Sequence, residues 1–323
     1  MGYVINRFLQ GISVVAAMAV LVFVGVYAIG NPIDMLISPE ADQAEIDAAI
    51  ARLGLDKPLW EQFLHFANGA VHGDLGNSFI YNEPAVRLIM DRFPATMELA
   101  LAAILIAIVL GIPLGVLAGL KPDGWVGRSI MTVSILGFSL PTFWVGMMLI
   151  MMFAVWLGWL PSTGRGDTVS LLGMQVSFLT KSGLAHLVLP AVNLALFKVS
   201  LVIRLCRAGT REVIGQDYIK FARAKGLSEA RVILVHMLKN MMIPVVTVLG
   251  LELGSVVAFA VITETVFAWP GMGKLLISSI ANLDRPVIVA YLMLTVVLFV
   301  VINFIVDVIY AALDPRIRRK ETA

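Results

Sequence analysis

Charge is scarce in this 323-residue chain: Asp, Glu, Lys and Arg together make up 14% of it, against roughly a quarter in an ordinary soluble domain. With 59% hydrophobic residues and a mean hydropathy of +0.90, a water-soluble globular domain is excluded and an all-α, polytopic membrane protein is indicated. Cysteine is almost absent. Cys206 stands alone, which rules out an intramolecular disulfide and a thiolate metal cage and leaves a small apolar filler as its reading. Histidine is sparse as well. His65, His72, His186 and His236 are scattered over loops and span ends, there is no H-E-x-x-H and no G-x-S-x-G, and neither a metal centre nor a hydrolase is supported. The cations are dispersed in short segments and the net charge is only +2, so no nucleic-acid surface is present. No long-period repeat, low-complexity tract or linker occurs.

What is present is a set of six apolar stretches. A bilayer core needs about 20 apolar residues per helix, and Phe8 to Ile29, Ala95 to Leu120, Ser129 to Leu157, Leu184 to Cys206, Met241 to Thr263 and Pro286 to Ala311 qualify. The first reads as an anchor rather than a cleavable leader, because its run is long, Arg7 is its only basic flank, and no small-residue cleavage site follows. Lys121, Arg128, the cations between Arg204 and Lys239, and Arg316 to Lys320 fall on one side and outnumber those on the other. The positive-inside rule then places that side, with both termini, in the cytoplasm. Three parts are expected: residues 1–94, an anchor helix plus an external segment; residues 95–312, a five-span core containing a cytoplasmic insert at 208–240; and residues 313–323, a cytoplasmic tail. Within the external segment, Ile46, Ile50 and Leu53 recur at helical spacing and predict a short amphipathic helix.

The insert is the polar, cationic stretch from Gln216 to Asn240, lying between two membrane-length runs. Phe221, Ala222 and Ala224 suit a helix, Arg223 and Lys225 sit in its last turn, and Gly226 can take the left-handed stop conformation. Ser228 is placed to cap a second helix through its hydroxyl, with Glu229 at the positive end, and that helix runs on toward Pro244. Helix, tight turn, helix, membrane is the predicted order, and Ala222 and Ala224 are small enough for a partner to approach closely.

Other signals are less directive. Gly111, Gly115 and Gly119 share one helix face, as do Gly250 and Gly254, which suits either packing within the chain or contact with another subunit. Pro113, Pro141 and Pro190 mark expected kinks or helix boundaries. Lys198, Glu252 and Asp307 are ionisable residues inside spans. Since a charge in hydrocarbon is costly, they either line a translocation path or, for Lys198 and Glu252, neutralise each other, with an interfacial packing role open for Asp307. Trp269-Pro-Gly-Met-Gly-Lys274 has Ala268 and Leu275 where a phosphate loop needs Gly and Ser or Thr, and it reads as a turn.

Four segments carry a resemblance. Asp217-Tyr-Ile-Lys-Phe-Ala-Arg-Ala-Lys-Gly226-Leu-Ser, with His236 to Asn240 and Pro244 behind it, is similar to the coupling segment of bacterial ABC importer permeases of the peptide type. Leu53-Gly-Leu-Asp-Lys-Pro-Leu-Trp60 with Gly73-Asp-Leu-Gly-Asn-Ser78, then Glu264-Thr-Val-Phe-Ala-Trp-Pro-Gly-Met-Gly273, then Asp314-Pro-Arg-Ile-Arg318, agree with it across the whole chain. The general signature E-A-A-x-x-x-G followed by nine residues and I-x-L-P is matched only in part. Aligned on Gly226, it has Lys220 for Glu, Phe221 for the first Ala, His236 for Ile and Lys239 for Pro, a variant resembling the peptide branch.

The resemblance implies the type I importer permease fold and a first permease subunit of a dipeptide or oligopeptide importer in the bacterial inner membrane. Glutathione and nickel-complex uptake belong to the same family. It further implies that Asp217, Tyr218, Phe221, Ala222, Arg223, Ala224, Lys225, Gly226, Leu227 and Ser228 form the ATPase-coupling segment. The implied partners are a second homologous permease, two cytoplasmic ATPases that hold the ATP and Mg, and an external substrate-binding protein. The chain itself would bind no cofactor and catalyse nothing. The rival readings are an ion-coupled secondary transporter or channel, in which Lys198, Glu252 and Asp307 would couple the ion, and an intramembrane enzyme.

Overall fold

The computed structural model describes residues 2–28, 42–53 and 56–313. Helices run α1 Gly2–Ala28, α2 Gln43–Leu53, α3 Leu59–Val71, α4 Ala85–Leu120, α5 Trp125–Ser139, α6 Thr142–Leu149, α7 Lys181–Ile214, α8 Asp217–Ala224, α9 Glu229–Arg231, α10 Leu238–Phe259, α11 Val261–Val266, α12 Met272–Ala281 and α13 Arg285–Leu313. Among the described residues, α1, α4, α7 and α13 are each long and apolar enough to cross a bilayer, and two bent helix pairs bring the number to six if each pair is one span. The predicted amphipathic helix is α2. The motif from Asp314 onward, and Gly54 and Leu55 of the Leu53 to Trp60 motif, lie outside the described residues.

The third span departs from expectation. Instead of one helix over Ser129 to Leu157, α5 and α6 meet at 105°, and the chain leaves α6 through a π-helical turn at Ile150–Trp156. Pro141 is the cause: it pushes Leu140 into an extended conformation (φ −83°, ψ 138°) and removes the amide that would have continued the helix. Pro113 and Pro190 sit inside the continuous helices α4 and α7, so neither is a helix boundary. The fifth span bends by 50° about Pro244.

Helices α4 and α7 form the most extensive pair, and the glycine stripe explains it. The Cα atoms of Gly111, Gly115 and Gly119 lie against Val202, Cys206 and Thr210 of α7, while Gly250 and Gly254 lie against Val306 and Phe299 of α13. Both stripes therefore serve packing within the chain. Two cores result along the same helices. One, around Leu99, Ala103, Ala191, Val256 and Trp269, lies toward the connection between α6 and α7; the other, around Val202, Cys206, Ile219, Met237 and Met241, lies at the end that carries α8.

The all-α expectation also meets a small exception. Between α6 and α7, Val169–Leu171 and Met174–Val176 pair as an antiparallel hairpin, β1 and β2, with Val169 opposite Val176. Leu172 (φ +52°) and Gly173 (φ +82°) form its turn, both in the left-handed region. Leucine is an unusual residue there, which is why the turn was not foreseen.

Candidate docking and translocation site

Helix α8 is built as anticipated and ends in a Schellman motif. Gly226 takes φ +78°, its amide donates to the Arg223 carbonyl at 2.9 Å, and the Leu227 amide donates to the Ala222 carbonyl at 3.3 Å. A Cβ at Gly226 would meet nothing within 4 Å, so glycine is required there by backbone conformation alone. Ser228 precedes α9, but its hydroxyl makes no capping bond. Glu229 is engaged elsewhere: the Arg223 guanidinium donates to both its oxygens, at 2.7 and 3.1 Å, and clasps the two helices across the turn. These hydrogen bonds, reinforced by the opposite charge, hold the Glu229 carboxyl below the usual carboxylate range.

The two faces of α8 have different fates. Ile219 and Ala222 are buried against Val232, Met237 and Met241, so Ala222 serves the chain's own core, and Ala224 alone of the expected small pair lies on the open face. That open face carries Tyr218 and Phe221, the latter 62% exposed under the Lys225 ammonium at 4.5 Å, and the π-helical segment Val232–Met237 that follows α9 adds exposed Leu234 and Val235. Lys220 pairs with Asp217 at 2.9 Å on the outside of the helix. Asn240 donates to the Tyr218 hydroxyl at 2.9 Å, tying α8 to the start of α10.

The three intramembrane residues are divided between two ion pairs. Lys198 of α7 pairs with Glu252 of α10, and Ser255 braces both, its hydroxyl oxygen 2.9 Å from Lys198 Nζ and 2.7 Å from Glu252 Oε2. Asp307 instead faces Arg7 of α1 at 3.2 Å, an interfacial contact between α1 and α13. The side chain of Glu252 retains 25% exposure and that of Lys198 10%.

Three carboxylates at the opposite end escaped the sequence reading. Glu98, buried on α4, accepts from Arg165 (Nη2 at 2.7 Å, Nε at 3.1 Å), from the Ser177 hydroxyl and amide, and from the Phe178 amide, fixing the hairpin segment to the helix. Glu264 is fully buried; its carboxylate accepts from the Thr96 hydroxyl at 2.6 Å and from the Lys274 amide at 2.9 Å, at the N-terminus of α12. A helix N-terminus favours an anion, and here the protein's own carboxylate fills that position. The glycine-containing segment is thus a turn folded around Glu264, and a Cβ at Gly271 would come within 2.2 Å of that carboxylate. Asp284, fully buried, accepts from the Ser78 hydroxyl and from the Phe79 amide at 3.1 Å, which anchors the Gly73 to Ser78 turn at the head of α13. Glu98 had one visible signal, an acid near the start of an otherwise apolar stretch, and Glu264 opens one of the four motifs although its burial was not foreseen; Asp284 had none.

Comparison with known proteins places this architecture. The family described as binding-protein-dependent transport system inner membrane component matches residues 111–319, and its N-terminal companion matches residues 1–100. The di/tripeptide transport system permease protein DppB of Pseudomonas aeruginosa is 40% identical over 304 residues, covering 90% of each chain. The dipeptide transport system permease protein DppB of Escherichia coli K12 is 37% identical over 99% of each chain, and the glutathione transport system permease protein GsiC of the same strain is 38% identical over 99% of this chain and 100% of that one. In fold, the chain is similar to a subunit of the MetNI methionine ABC transporter, solved in inward-facing conformations, with a TM-score of 0.55 at 19% identity over 70% of this chain and 96% of that one. These matches show that the chain belongs to the family of binding-protein-dependent transport system inner membrane components, as a multi-pass transport subunit of type I ABC permease fold and not an enzyme.

Proposed function

We propose that the chain is one of two permease subunits of an importer of dipeptides or oligopeptides, with both termini cytoplasmic and α8 docked on ATPase subunits that hold ATP and Mg. The observation that carries the reading is the asymmetry of α8: one face is locked into the core through Ile219 and Ala222, while Tyr218, Phe221 and Ala224 stand open beside Leu234 and Val235. A push on the open face passes through the buried one to Met237 and Met241, through Asn240, and on to α10, whose bend at Pro244 is the hinge. An ion-coupled carrier has no use for such an element. The peptide class is supported by the full-length similarity to the dipeptide permeases; the glutathione permease, also a carrier of a small peptide, is similar to the same degree. An external binding protein would deliver the ligand and set selectivity.

Lys198 and Glu252 are assigned to the translocation route. The exposed quarter of the Glu252 side chain cannot face hydrocarbon without a cost of several kcal/mol, so it is read as facing water or the second permease subunit. Asp307, held by Arg7 of the outlying α1, is assigned to keeping α1 in place rather than to the route.

In proteoliposomes containing the complete transporter and its cognate binding protein, dipeptide should stimulate ATP hydrolysis and uptake. Gly226→Val should uncouple them, because a non-glycine residue at φ +78° costs about 1–2 kcal/mol, more if β-branched. Normal ligand-stimulated hydrolysis in that variant would reject α8 as the lever. Orientation is tested separately, with Cys206 replaced by Ala. A cysteine at Asp47 should react with an impermeant maleimide from outside sealed cells and one at Glu229 only after permeabilisation, and equal labelling would reject the assignment.

A further inference from the structure

Helix α3 has more apolar surface than the chain covers. At about 100° per residue, Phe63 and Phe66 fall on one side, Trp60, Leu64 and Val71 on the adjoining side, Asn68 at the edge beside Leu64, and Glu61 and His65 on the polar back. Phe63 and Phe66 are packed on Phe23 of α1, with ring centroids 5.3 and 5.9 Å apart. The adjoining stripe is open: Trp60 is 62%, Leu64 57% and Val71 84% exposed. One continuous apolar arc is therefore half covered by α1 and half bare, with a polar arc behind it.

What adjoins the bare half identifies its occupant. Helix α1 is peripheral, with only 11% of its most apolar window buried, and Leu21 and Val24, which flank Phe23, are 66% and 59% exposed. A span that presents such residues outward meets lipid, and α3 packs on that span through Phe23, near its C-terminal end, with its own bare stripe adjoining the covered one. Trp is favoured at the membrane interface, where its ring is buried and its N–H stays hydrated. A helix with a wide apolar face and a polar back lies in the plane of that interface. We propose that α3 is an interfacial helix, lying in the headgroup layer of the outer leaflet with Trp60, Leu64 and Val71 against the first acyl carbons. The helix bears no Lys or Arg, so apolar burial and not attraction to anionic headgroups holds it there. It thereby fixes the height of the Gly73 to Ser78 turn, which Asp284 ties to α13. This rests on the reading of the chain as a bilayer-spanning permease with α3 on the outer side.

The test uses the assembled transporter with Cys206 replaced by Ala and an environment-sensitive NBD label at Trp60→Cys, Leu64→Cys or Val71→Cys, with His65→Cys, exposed on the polar back, as the control. In phosphatidylethanolamine and phosphatidylglycerol nanodiscs, lipids spin-labelled high on the acyl chain should quench the three apolar-face labels roughly twofold or more and leave position 65 unchanged. Water-like emission and free quenching by iodide at all three positions would overturn the proposal. Protection from iodide without lipid quenching would also overturn it, assigning the stripe to the second permease, or to the binding protein if protection requires adding that protein. The sidedness of α3 is read independently by the maleimide experiment at Asp47, so a failed orientation and a failed lipid contact give different results.

Discussion

Replacing Gly115 with Ala should lower the melting temperature of the detergent-solubilised transporter sharply, and replacing it with Val should prevent stable assembly. An added Cβ would lie 2.5 Å from the Cβ of Cys206 and 2.8 Å from the Ile203 carbonyl oxygen, and the second of these is backbone in the middle of a helix. Neither neighbour can swing away, so α4 and α7 must separate along the most extensive contact in the protein. Overpacking of this kind costs about 1–3 kcal/mol for a methyl group, and more for a branched side chain. Gly215→Ala is the control: nothing lies within 4 Å of its Cβ position and its φ of −83° suits any residue, so stability should hold or rise by about 0.4–1 kcal/mol. Equal melting temperatures for the two alanine variants would show that the α4 and α7 backbones are not in the close contact described.

Lys198→Met should produce the second large loss. Removing the ammonium leaves Glu252 with only Ser255 as a side-chain partner among those described. An uncompensated charge in a buried pair costs roughly 3–5 kcal/mol; the partial exposure of Glu252 places this case toward the lower end. Lys198→Met combined with Glu252→Gln should recover most of that stability, giving a strong coupling energy in the double-mutant cycle. Uptake separates the two roles of the pair. If the double variant is stable but transports poorly, the pair belongs to the route as proposed; if stability and uptake both recover fully, it is a structural contact and the assignment to the route fails. Additive stability losses would contradict the pairing itself.

The readings that held were those whose cause is local. A run of about 20 apolar residues satisfies its own backbone bonds wherever it sits in a bilayer, so the positions of the spans were legible, although α4 starts at Ala85 rather than Ala95 because polar residues extend a helix beyond hydrocarbon. The α8 stop was legible for the same reason: Gly226 adopts its left-handed conformation through bonds reaching no farther than Ala222. The Ser228 cap was a reasonable local expectation that the structure does not bear out. The turn is instead clasped by the charge-assisted pair of Arg223 with Glu229, a contact between side chains six residues apart.

Sequence alone determined that this is a polytopic helical membrane protein with a cationic helical insert and, through four short motifs, which kind of permease it resembles. Only the tertiary structure decided that Pro141 breaks a span while Pro113 and Pro190 lie within continuous helices, since a proline is compatible with either a boundary or an interior position. It alone turned Ala222 inward and left Ala224 outward. It alone paired Lys198 with Glu252 and Asp307 with Arg7, and joined Thr96 to Glu264 across 168 residues and Ser78 to Asp284 across 206. A buried charge must find a partner, but its energy depends on distance in space and not along the chain, so the choice of partner is made only when the helices pack.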